Sequence, residues 1–143
     1  MRKVVITINK SDILDTVALN SAYISTDKEY SGERVETIET DNSILTRFWS
    51  EMCGNVTEKL RNFIFTGTVN LESMKLELEL SNAYDESLTP SVVNDLSAAM
   101  VAGVTAQWFQ FRFHDRYEEW DNRSSQLLDR AFSKLCHRKK PTR

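Results

Sequence analysis

Met74-Lys75-Leu76-Glu77-Leu78-Glu79-Leu80 alternates strictly between apolar and charged side chains. A period of two puts Met74, Leu76, Leu78 and Leu80 on one face and Lys75, Glu77 and Glu79 on the other, the pattern of a half-buried antiparallel strand. The segments on either side carry apolar residues at helical spacing, so the strand's partner must come from elsewhere. Val4, Ile6 and Ile8 alternate in the same way at the N-terminus. Together they predict a two-stranded antiparallel element, its second strand running from Val69 to Leu80 after a Thr66-Gly67 turn. Two strands alone are marginal and need helices or a neighbouring subunit to cover them.

Outward from this element the chain reads as mainly α, a bundle of about four helices in a single domain over 1–143. Asn9 or Ser11 caps a first helix bearing Ile13, Leu14, Val17, Ala18, Ala22 and Ile24 and ending near Thr26. A second, capped by Thr40 or Asp41, carries Ile44, Leu45, Phe48, Trp49, Met52, Val56, Leu60, Phe63 and Ile64, the clearest amphipathic pattern present. Gly54 within it suggests a close helix crossing. Thr89 and Pro90 open a third helix, as N-cap and first-turn residue, that runs to about His114. The small residues Ala98, Ala99, Ala102, Gly103 and Ala106 in its middle allow close packing. A fourth helix starts near Asp115, with a kink or break at Asp121–Ser124, and stops before Pro141.

The chain has 143 residues and is 41% hydrophobic, enough for one core. Its N-terminal apolar run is too short for a signal peptide and far below the roughly 20 residues of a membrane helix, so a soluble protein without membrane contact is expected. Cys53 and Cys136 fall within apolar helical patterns and read as reduced core thiols rather than a disulfide scaffold. The net charge is −3 and its signs are segregated. Asp27, Glu29, Glu33, Glu36, Glu39 and Asp41 gather around an acidic loop near 27–36, whereas Lys134, Arg138, Lys139, Lys140 and Arg143 close the chain in a basic tail over 138–143. The plain reading makes the acidic run a solvated loop plus a helix N-terminus, and the basic run a helix C-terminus followed by a frayed tail. The sharper one is electrostatic contact through the five cations, either head-to-tail with another copy or, without sequence preference, with DNA.

Residues able to carry chemistry do not assemble into a motif. His114 and His137 with the two cysteines lack the paired spacing of a zinc site. His114-Asp115-Arg116 has none of the glycine-rich loop or metal-binding aspartate that would accompany a phosphotransfer triplet. The four glycines are too far apart to cradle a phosphate. No enzyme, cofactor or metal is expected. The aromatics Phe109, Phe111, Phe113, Tyr117 and Trp120 crowd one stretch. With Trp108 they read either as core or as anchors of a subunit contact.

The order of these features resembles small structural proteins encoded among the morphogenesis genes of tailed phages and prophages. The residues that carry the resemblance are Ile-Thr-Ile-Asn-Lys at 6–10, Tyr23, Arg-Phe-Trp at 47–49, Gln-Trp-Phe at 107–109, Pro141 and Arg143. It implies a head–tail connector, or adaptor, without catalytic residues. Such a subunit forms a multi-copy ring below the portal, contacts portal, neck and tail proteins, and resides in the virion after assembly in the host cytoplasm. Under that reading Met74, Leu76, Leu78, Leu80, Trp108, Phe111 and Trp120 are interface candidates. The alternative is a non-enzymatic binding module, monomeric or dimeric, that uses the aromatic helix surface.

Overall fold

A computed structural model describes residues 2–24, 41–70, 72–110 and 114–138. It contains strands β1 (Arg2–Asn9), β2 (Ile64–Val69) and β3 (Ser73–Leu80) with helices α1 (Lys10–Ile24), α2 (Asn42–Lys59), α3 (Thr89–Gln110) and α4 (His114–Leu135). This is the expected helical bundle with a small antiparallel sheet. The sheet, however, has three strands, ordered β1-β3-β2. The acidic loop at 27–36, Phe111, Phe113, Lys139, Lys140, Pro141 and Arg143 lie outside the described residues.

The alternating stretch is the central strand. Its register sets Val4 against Leu78, Ile6 against Leu76 and Ile8 against Met74, and β2 pairs along its other side. All seven of the alternating apolar residues from β1 and β3 are buried, in one core with Ile13, Val17, Trp49, Val56, Leu96, Met100 and Phe109 from the helices. The helices therefore cover one face of the sheet, and Lys3, Val5, Thr7 and Lys75 stay exposed on the other.

Residues 64–69 follow neither a helical nor an alternating pattern, yet they form β2. Helix α2 stops at Lys59, where Leu60 N–H still bonds to Val56 O (3.0 Å). A turn through Phe63 then leads into the strand, which has a bulge between Ile64 and Thr66. The hairpin to β3 closes on Asn70, whose Oδ1 accepts from the N–H groups of Glu72 and Ser73, both at 2.8 Å. That Asx turn supplies the reversal.

The polar connector after β3 is also built. Tyr84 within it is buried, its hydroxyl hydrogen-bonded to Thr89 Oγ1 at 3.0 Å, and its carbonyl accepts from Arg2 Nη1. Thr89 is thus already helical. The cap lies earlier, where Asp85 Oδ1 accepts from Ser87 N–H and opens a 3-10 turn at Glu86–Leu88. Helix α4 is continuous through Asp121–Ser124 instead of kinked. Ser124 is buried and donates to Ala99 O on α3 at 2.8 Å, so a polar residue that looked like a break is where the two helices lock together.

Two buried polar atoms, Trp49 Nε1 and Thr105 Oγ1, have no hydrogen-bond partner among the described residues. Thr105 is fully buried within α3. A buried hydroxyl without a partner costs about 1–3 kcal/mol, and valine matches threonine in shape. Thr105→Val is expected to stabilise the fold by about 1 kcal/mol, raising Tm by about 3 °C in calorimetry.

Candidate assembly surface

One side of the sheet and its two edges are left uncovered by the described helices. Antiparallel pairing makes alternate residues hydrogen-bond inward or point their N–H and C=O groups away. The bonds Asn70 N–H to Ser73 O (3.0 Å) and Glu79 N–H to Phe63 O (2.7 Å) show that the odd-numbered residues of β3 bond to β2. Its even-numbered residues therefore bond to Arg2, Val4, Ile6 and Ile8. Lys3, Val5 and Thr7 on β1 and Gly67 and Val69 on β2 then direct their backbone groups to the two outer edges, which no other strand among the described residues pairs. Val5, Phe65 and Val69 are 54%, 57% and 48% exposed, among the most exposed large apolar residues described. Val5 and Phe65 lie on the open face, where Lys3 Nζ sits 4.7 Å from the Phe65 ring centroid. Val69, opposite the buried Met74, points to the helix side of the sheet.

The two edges are unlike. β2 carries no charged residue, no proline and only a bulge to discourage pairing. The β1 edge runs beside a groove of about 350 Å3 walled by Ile8 and Asn9, by Ile13 and Thr16 of α1, and by Val93 and Ser97 of α3. No β3 residue lines this groove, which places it on the outer side of β1.

The interface candidates read from the sequence are mostly placed elsewhere. Met74, Leu76, Leu78 and Leu80 are buried in this chain's own core, and β3 is paired on both sides, so it offers a neighbour neither its apolar side chains nor an edge. Trp108 is likewise buried, as is Phe109. Trp120 is half-buried against the core, with Arg123 over its ring at 5.5 Å. A strand edge offered to a neighbour is what the connector reading expects, but Val5, Phe65 and Val69 are not among its candidates. The one sequence signal for them was the uncharged β-branched run Ile64–Val69.

The electrostatic set also changes. Lys134 Nζ donates to Asp95 Oδ2 and Ser91 Oγ, both at 2.6 Å, which makes it an internal tie between α4 and α3. Breaking a largely buried pair leaves the partner charge uncompensated. Lys134→Met is expected to lower stability by about 2 kcal/mol in urea titration, discounted for partial exposure. Arg138 is exposed and its backbone bridges to Tyr84. On the exposed side of α4, Arg123 and Arg130 are cations that the tail-centred reading overlooked.

The two cysteines are free, but only Cys53 is a core thiol; Cys136, in the turn just past α4, is exposed. Burial pushes the Cys53 thiol up to about 12. Its neutral form is favoured in the folded chain, so its contribution to stability is lost as pH rises from the ordinary thiol range toward 12. A thiol-reactive dye at pH 8 is expected to count one cysteine in the native protein and two in denaturant. Among the described residues no group of three His, Cys, Asp or Glu is placed to hold a metal ion, and no helix is long and apolar enough to cross a membrane. Comparison with protein families, with characterised proteins and with solved structures finds no match.

Proposed function

We propose that this chain is a structural subunit of a phage virion, a head–tail connector or other neck or tail component that assembles as a multi-copy ring. The observation that carries the reading is the sheet, covered by helices on one face and open on the other, with two unlike edges that no strand among the described residues pairs. Contact between unlike surfaces repeats head to tail and closes into a ring when the rotation allows, whereas contact between like surfaces stops at a dimer. The resemblance in the order of the elements supports the same assignment. Portal and tail proteins are the proposed neighbours, the virion is its final location, and DNA contact would be sequence-independent.

The alternative, a binding module built on aromatic helix surface, has less to stand on because Trp108 and Phe109 are spent on the core. Native mass spectrometry across protein concentration at low and moderate salt tests the proposal. Closed multimers of more than two copies are the expected result. A chain that stays monomeric, or stops at a dimer, at every concentration overturns the ring.

A further inference from the structure

We infer that the ring contact is strand addition, in which β2 of one copy pairs in parallel with the β1 edge of the next. This inference rests on the ring reading above and names the surfaces that would make it.

Direction comes from topology and from side chains. β1 and β2 both run antiparallel to β3 and so run parallel to each other. A ring whose axis lies along the strands preserves that relation from copy to copy. It also keeps the two rims different, as a piece joining unlike partners requires. In a parallel ladder the residues facing each other share a face of the sheet, and one of each pair bonds to the two neighbours of the other.

The register that satisfies both conditions sets Val5 opposite the neighbour's Thr66 and Thr7 opposite its Thr68 on the open face. On the helix side it sets Ile6 opposite Gly67 and Ile8 opposite Val69. Val5 and Thr7 then bond to the backbone of residues 65, 67 and 69, of which Gly67 and Val69 point away from β3 and residue 65 lies in the bulge. The same register brings exposed Phe65 to exposed Val5, and carries Val69 beside Ile8 into the groove floored by Ile13 and Val93. Gly67 has no side chain to collide with Ile6. Antiparallel addition would take Phe65 to the Asn9 end and Val69 to the Lys3 end, losing both apolar matches. Since β2 has no charged residue, nothing along it opposes Lys3.

Engineered cysteines test the contact. Strands lie about 4.8 Å apart, within reach of a disulfide, whereas Thr7 and Thr68 of one copy flank Lys75 from opposite sides, two strand spacings apart and beyond that reach. In a Cys136→Ser background, a mixture of Thr7→Cys and Thr68→Cys chains under mild oxidation is expected to give a disulfide-linked pair containing one of each. Neither variant alone should cross-link. Thr7→Pro removes an N–H that the ladder directs away from β3, so it should raise the concentration needed for assembly roughly tenfold with an unchanged circular dichroism spectrum.

Dimers of Thr68→Cys alone would mean two β2 edges meeting, and would overturn the parallel contact. A wild-type chain that forms rings while the mixture stays unlinked and Thr7→Pro assembles normally overturns the strand contact and leaves the ring standing. A wild-type chain that forms no multimer at any concentration overturns both.

Discussion

Leu78→Asp is expected to unfold the subunit, not merely to loosen its contacts with neighbours. Leu78 is fully buried on the central strand, opposite Val4 on one side and Ile64 on the other. Removing its side chain from the core forfeits about 2–3 kcal/mol of burial. Placing a carboxylate there adds several more, since no Lys, Arg or His is buried among the described residues and a buried unpaired charge is far costlier than a lost apolar contact. The total approaches the 5–15 kcal/mol that holds a typical domain together. The far-ultraviolet circular dichroism spectrum should lose its cooperative thermal transition. Leu76→Asp should behave alike, as Leu76 is equally buried in the adjacent layer. Val69→Asp, at an exposed edge, should melt within about 0.5 kcal/mol of wild type. A folded Leu78→Asp chain that fails only to assemble would contradict the core placement of β3.

The contrast with Val69 shows what the sequence conveyed and what it did not. Alternation at 74–80 and at 4–8 was legible because each strand has one wet and one dry face, and the period survives in the order of residues. β2 was not, because an edge strand with a bulge and a glycine has no regular face, and its burial leaves most of the strand exposed. Its first residue instead continued the apolar spacing of α2, and no glycine or proline marked where that helix ends. The same blindness affected the candidate surface. Apolar residues at regular spacing announce a core, and Met74, Leu76, Leu78, Leu80 and Trp108 went there. The free edges depend on which strand is central, a property of pairing between distant segments. Lys134 was misread for a related reason, since its partner Asp95 lies 39 residues away.

The two helix glycines should respond in opposite directions. Gly54 lies in α2, is exposed, and a Cβ built on it meets nothing within 4 Å. Gly54→Ala therefore gains helix propensity and restricts the unfolded chain without a clash, and should stabilise by about 0.5–1 kcal/mol. Gly103, in α3, is the actual site of close approach. A Cβ there would come within 2.6 Å of Met52 Cε and still nearer its Sδ, with Cγ at 3.1 Å. Met52 is itself buried, and with Gly103 it lines a groove of about 380 Å3. Alanine at 103 lets a flexible thioether yield, setting the propensity gain against a small displacement. Valine cannot be absorbed that way. Its two methyls push α2 from α3, and overpacking of this kind costs about 1–3 kcal/mol, to which the lower helix propensity of a β-branched residue adds. Urea titration should order the proteins Gly54→Ala above wild type and Gly103→Val well below it. Met52→Ala combined with Gly103→Val should recover part of the loss, because shortening residue 52 reopens the space that valine fills. A Gly103→Val chain as stable as wild type would mean that α2 and α3 do not cross at this point.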